Sequence, residues 1–524
     1  MNDQPTLFHN AVFHTLDRHR PRADWMVVLG ERIQRLGSGP LPEDVKQRVD
    51  LAGRAVFPGF VDAHAHFFQT GLDKLFVDLG RASSVAEITR RLQAAAGGPR
   101  TWLFAHSFEE DCLSDVSVLT RRELDEVFPE RPLWLNRIDY HSAVVNTAAL
   151  RRLNLPAGTP GLMGEPGSPD GRLRSEAYLL AKEQVARLYP LETRNRALKV
   201  AANTCVANGL TAIHALEGGR LFGDEGVSTI LKRAHALPLD VTLFLQEKNV
   251  HFTTRFGFEH MGGCILIDGS IGSFTAALEE DYAGQPGERG TLYEKRREFL
   301  AFVEEAHVAG VQLAFHAIGS RAIGLVLDAY ERALRRYPRY DHRHRIEHFE
   351  LATDEQITRA ADLGVIASMQ PAFEYFWGGP SGMYASRLGE RWRNTNRLRS
   401  ILGAGAVVAG GSDTNVTPAQ PLLGIHAAVN HPNDEQRVSV EQALRMMTID
   451  AAYAGCAERR HGSLEGGKDA NFVVLDHDLF AVAPERIREL CVLQTWYRGR
   501  CAYRADAAAA AVPAPLSPAS GSVG

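Results

Sequence analysis

Eight short apolar runs, each rich in β-branched or aromatic residues, recur between residues 59 and 413. They read GFVDAHAH (59–66), GLTAIHAL (209–216), DVTLFLQ (240–246), CILIDGS (264–270), VQLAFHAIG (311–319), HRIEHF (344–349), VIASMQP (365–371) and AVVAGGSD (406–413). Helical patterns such as REFLAFVEEAHVAG and SRAIGLVLDAYERALRRY lie between several of them. Short strands alternating with amphipathic helices predict βα units and a parallel sheet. Eight such units predict a closed (β/α)8 barrel of the α/β class. The constraint is strong, because a parallel barrel brings all eight C-terminal strand ends onto one face, where active sites are built.

The rest of the chain hangs on this frame. Residues 1–56 hold short apolar runs split by turn residues, and a similar texture returns in GSLEGGKDANFVVLDHD and VLQTWYRGRCAYR near the other end. The two ends are expected to pair into one small sheet domain. Residues 70–195 or so are too long for one crossover and read as an insertion after the first barrel strand, with the apolar run RPLWLNRIDY inside it. Within the insertion, GLMGEPGSPDGRL (161–173) has the glycine and proline content of a loop and is a candidate lid. The tail from 506 to 524 is low-complexity Ala, Pro and Ser and is expected to be disordered.

Composition excludes several function classes. The formal net charge of −5 offers no basic field for nucleic acid. No run of eighteen apolar residues predicts a membrane span. The polar, broken start MNDQPTLFHNAVFHTLDRHRPRAD is unlike a signal peptide. Six cysteines are scattered without a CxxC pair, which in so long a chain does not read as a disulfide framework. A cytoplasmic enzyme acting on a small molecule is the expectation.

The strand ends carry the chemistry. His64 and His66 close the first strand, His316 the fifth, His348 the sixth and Asp413 the eighth, while Cys264 stands at the start of the run taken as the fourth. A lone histidine at a strand end is more often a hydrogen-bonded core residue than a ligand, and a lone GSD is common turn chemistry. The combination weighs the other way. Burying these polar groups separately would cost roughly 1–3 kcal/mol each, and a shared divalent ion removes that cost. Imidazoles and a carboxylate suit zinc or a similar ion.

These pieces resemble the amidohydrolase superfamily, and within it the amidohydrolase-3 group of N-substituted formamide deformylase-like hydrolases. The matching segments are PGFVDAHAHF, LIDGSIGSFTAAL, FHAIGSRAIGLVLDAYE, HRIEHFE, SMQPAF, AGGSD and GSLEGGKDANFVVLD, in order from about residue 55 to 480. The resemblance implies a metal-dependent TIM-type barrel (57–450) and a small β-sandwich built from both chain ends (1–56 and 451–505). It implies His64, His66, His316, His348 and Asp413 as ligands of one or two ions. Homo-oligomers are common among such barrels, an analogy that leaves the oligomeric state open. It also implies a pocket-lining histidine at His141, in DYHSAVVNTAAL.

Two positions depart from the family pattern. Many members carry a lysine four residues before the Asp of the DG step, and here that position is Cys264. Cys264 is then either a thiolate ligand or bridge, or a small buried apolar residue beside a single metal. Ser320 stands where the family usually has an acid that orients the neighbouring His or holds the following helix.

The expected reaction is hydrolysis of a non-peptide C–N bond, in an N-acyl or N-formyl amine. Asp413 is the expected general base, taking a proton from the attacking water and returning it to the leaving nitrogen. His214 and Asp268 are candidate substrate contacts, with bland readings as a structural histidine and a turn cap. Glu217, Arg321 and Glu347 are weaker candidates. The aromatics of FEYFWGGPSGMY (373–384) are expected to wall the pocket. A deaminase or cyclic-amide hydrolase on the same scaffold, and a non-catalytic regulatory relative, are the alternatives.

Overall fold

The computed structural model describes residues 4–95, 101–115, 118–138, 140, 142–165, 167–219 and 223–506. His141 and the tail from 507 lie outside the described residues. The chain divides into two compact units, one of residues 1–65, 202–216 and 236–524, the other of 66–201 and 217–235.

The first unit holds the barrel. Its strands are Phe60–Ala65, Leu210–Glu217, Asp240–Leu245, His260–Leu266, Gln312–Ala317, Arg345–His348, Ile366–Met369 and Val408–Gly410. They form one eight-stranded sheet in sequence order, and each of the eight expected runs supplies one strand. The circle is nearly closed between the last strand and the first. A lone parallel bridge joins Ala65 to Thr414, and the Asp413 N–H donates to the His64 carbonyl at 2.8 Å. Val61, Ala63, Ala212, Ile366 and Ala409 pack with the helix Ile449–Ala454 in one buried cluster.

The fourth strand corrects the expectation for Cys264. It begins at His260, so Cys264 lies near its C-terminal end rather than at its start. The sequence obscured this because Gly262 and Gly263 weaken any strand pattern. Both glycines are required: they sit at φ +104 and +68, and a Cβ on Gly262 would lie 1.9 Å from the Ala314 carbonyl oxygen. The register slips between Gly262 and Leu266. Such a bulge re-aims the side chains that follow it, and Cys264 is the next residue but one.

The same unit contains an eight-stranded sheet drawn from both chain ends. Its order is Arg500–Arg504, Val492–Tyr497, Phe472–Leu475, Gln47–Pro58, Thr6–His14, Trp25–Leu29 and Arg32–Gly37, with Arg22–Ala23 paired to Thr6–His14. Phe8, Phe472 and Trp496 form its aromatic centre, at ring separations of 4.8–5.4 Å. Gln47–Pro58 passes into the first barrel strand through Gly59, where a Cβ would meet the Thr211 side chain at 2.3 Å.

The second unit is built on a six-stranded sheet ordered Leu162–Glu165, Ser168–Arg174, Ser142–Val145, Leu133–Arg137, Leu103–Phe108 and Val77–Asp78. Leu133–Arg137, within the run RPLWLNRIDY, is one of its inner strands. The run at 161–173 is expected as a loop, but Leu162–Glu165 and Ser168–Arg174 are two antiparallel strands. Gly164 and Gly167 hold φ of +109 and +81 at their turn, so the glycines that suggested a loop shape a hairpin. No helix among the described residues is long and apolar enough to cross a membrane.

Candidate metal centre

His64, Cys264 and His348 each point a ligand atom inward, and these three atoms lie within 4.8 Å of one another. His64 Nε2 is 3.5 Å from the Cys264 sulfur and 3.3 Å from Asp413 Oδ1. The His348 ring lies 4.8 Å from that of His64 and 4.4 Å from that of His316. All five residues are buried. The barrel thus brings together His64, Cys264, His316, His348 and Asp413 in the first unit. His66, two residues beyond His64, opens the second unit; it too is buried, and its carbonyl accepts from the Thr70 N–H at 2.9 Å.

Backbone strain marks the same place. His348, Phe349 and Asp413 hold φ of +73, +52 and +52, a left-handed conformation that costs a non-glycine residue roughly 1–3 kcal/mol. Strict strand alternation would send His348 to the opposite face from Glu347. The left-handed turn breaks that alternation and lets the His348 ring join the cluster.

Hydrogen bonds fix which nitrogen each ring presents. His64 Nδ1 donates to Glu347 Oε2 at 2.7 Å, which leaves Nε2 facing Cys264 and Asp413. His348 Nδ1 donates to Gln370 Oε1 at 2.7 Å. His316 Nε2 donates to the Gly269 carbonyl at 3.2 Å. Asp62 pins the motif from below, accepting from the Ser412 N–H at 2.9 Å and the His64 N–H at 3.1 Å.

The electrostatics favour a cation. Burial pushes the His64 imidazole down, but the negative charges of Cys264 and Asp413 outweigh it and hold its pKa well above the ordinary value. His348 is raised as well: burial lowers it, and the hydrogen bond to Cys264 and the charge of Asp413 more than offset that. Burial and the neighbouring His348 bring His316 down to about 4. A cysteine sulfur and a carboxylate facing imidazole nitrogens form a donor set that fits a zinc-like divalent ion.

The structure gives the candidate substrate residues definite surroundings. His214 Nδ1 accepts from Arg345 Nη1 at 2.9 Å, and its Nε2 faces Gly455, where a Cβ would sit 2.2 Å away. Asp268 is buried and accepts from the N–H groups of Ala277, Ile318 and Gly319 at 2.8–3.0 Å. Burial lifts its pKa to about 7 against those bonds. Asp268 therefore serves the N-terminus of the helix Ser320–Arg336, the place where the family pattern has an acid and this chain has Ser320. Phe373 stacks on His348 at 6.0 Å, within an apolar cluster that includes Ile271, Ile318, Tyr384 and Trp392. Glu217 accepts from the Phe68 N–H at 2.7 Å inside the second unit.

Sequence reasoning passed over Arg345, Ser368, Gln370 and Asp62, and ranked Glu347 low. The signal was present for three of them: Asp62 precedes His64 by two, and Arg345 precedes Glu347 by two, so each pair shares a strand face.

The sequence profile of the Amidohydrolase family matches residues 47–503. The putative amidohydrolase YtcJ of Bacillus subtilis (strain 168) is 30% identical, with 90% of this chain and 93% of that protein covered. N-substituted formamide deformylase of Arthrobacter pascens is 29% identical, with 94% of this chain and 97% of that protein covered. An uncharacterized metal-dependent hydrolase from Pyrococcus furiosus has a solved structure that matches with a TM-score of 0.74 at 26% identity, over 91% of this chain and all 100% of its own. The chain belongs to the amidohydrolase family and is a metal-dependent hydrolase of carbon–nitrogen bonds.

Proposed function

We propose that this protein cleaves the amide bond of an N-acyl or N-formyl amine, with one or two zinc ions held among His64, His66, Cys264, His316, His348 and Asp413. The observation that carries the reading is the convergence of His64, Cys264, His348 and Asp413 at the C-terminal strand ends, with His64 Nε2 at 3.3 Å from Asp413 and 3.5 Å from Cys264. The likeness to the formamide deformylase of Arthrobacter pascens supports the choice of substrate class.

A divalent ion at such a site supplies a Lewis acid for the carbonyl oxygen and acidifies a water. The chain's own residues do the rest. Asp413 Oδ accepts the proton of the attacking water and returns it to the leaving nitrogen. The thiolate of Cys264 takes the place of the family's lysine, neutralising cationic charge as a carbamate would. Phe373 and the apolar cluster around it shield the site from bulk water, which strengthens each of these interactions.

The reading is tested on purified protein with a panel of N-formyl and N-acyl amines beside heterocyclic amines and cyclic amides. Release of free amine from the acyclic substrates, lost in His64→Ala, is the expected result. Turnover confined to ring substrates would refute the amine substrate class, and full activity in His64→Ala would refute the metal site.

A further inference from the structure

We infer that Glu347 and Arg345 are positioning residues that fix His64 as a stronger imidazole donor than His348. The inference rests on the metal reading above and concerns how the chain prepares one ligand. His64 donates its Nδ1–H to a carboxylate oxygen of Glu347 at 2.7 Å. His348 donates its own to the neutral amide oxygen of Gln370, also at 2.7 Å. A carboxylate draws the Nδ1 proton more strongly than an amide does, which makes the opposite nitrogen a better donor. The two rings are therefore unequal ligands.

Glu347 has no freedom to move. Arg345 grips both of its oxygens, Nε to Oε1 and Nη2 to Oε2, each at 2.8 Å. Arg345 is held in turn by the Ala63 carbonyl at 2.5 Å, Ser368 Oγ at 2.8 Å and His214 Nδ1 at 2.9 Å. Its guanidinium lies 4.4 Å from the centre of the Phe244 ring. The side chains of Arg345, Glu347 and His64 are each 0% exposed. Water does not compete for these bonds, and turning the His64 ring would break its buried bond to Glu347 with no water to replace it. The hub also ties four barrel strands, the first, second, sixth and seventh, to the orientation of one imidazole.

Metal affinity is the direct readout. Metal-free wild type, Glu347→Gln, Glu347→Ala and Gln370→Ala are titrated with Co2+ alone, following absorption, with thermal melts of each metal-free protein in parallel. Glu347→Gln keeps the shape and a hydrogen-bond acceptor, and it is expected to fold and to bind Co2+ roughly tenfold more weakly. Glu347→Ala is expected to lose roughly a hundredfold, and Gln370→Ala less than Glu347→Ala. Partial rescue by Gln separates positioning from general damage. Unchanged affinity in a folded Glu347→Gln, or equal loss in the Gln and Ala variants, would overturn the inference. Failure of the wild type itself to take up Co2+ would instead overturn the metal reading.

Discussion

Asp413→Asn is expected to abolish amide hydrolysis while leaving the bound divalent ion in place. The position tolerates the change structurally. Asp413 sits at φ +52, a conformation Asn adopts readily, and its backbone N–H is held by the His64 carbonyl at 2.8 Å. Asn keeps an oxygen where Oδ1 now lies 3.3 Å from His64 Nε2, so His64, Cys264 and His348 retain a fourth donor. What Asn cannot do is accept a proton. The loss expected from removing a positioned general base is roughly 10²–10⁴ in kcat. Elemental analysis beside steady-state kinetics checks both halves. A variant within a fewfold of wild-type turnover would move the base to another residue.

Arg345→Leu is expected to be the most destabilising single change near the site. It removes a buried cation and takes from the Glu347 carboxylate two bonds of 2.8 Å, leaving it the bond from His64 Nδ1. Breaking a buried pair from one side costs about 3–5 kcal/mol, because the remaining charge has no water to turn to. Arg332→Ala is the comparison. Arg332 pairs with Glu304 at 3.1 Å, but its side chain is 54% exposed, and such a pair contributes about 0–1 kcal/mol. Urea unfolding of both variants measures the contrast. Equal midpoints for the two would show that the barrel centre relaxes around the missing arginine.

The sequence made the barrel legible because its strands are short, apolar and separated by strong helical periodicity. It made the proposed ligands legible because His64, His316, His348 and Asp413 all stand at strand ends. Cys264 was recognisable as a departure but misplaced along its strand, since the bulge at Gly262 and Gly263 leaves no strand pattern to read. The Arg345–Glu347 hub was hidden for a different reason. The spacing of Arg345 and Glu347 puts them on one strand face but says nothing of burial, and only the fold shows that each neutralises the other inside the barrel. The hairpin at 162–174 was hidden by its own glycines, which serve a turn and a loop equally well.

On the proposed reading, the Cys264 thiolate joins His64, His348 and Asp413 in holding a divalent ion. Metal content per chain, by elemental analysis of wild type and Cys264→Ala purified alike, decides this. At least one zinc-like ion per wild-type chain and a clear fall in the variant are expected. A full complement of metal in Cys264→Ala would contradict it, leaving the thiol as packing against Leu216, Phe244 and Ala314.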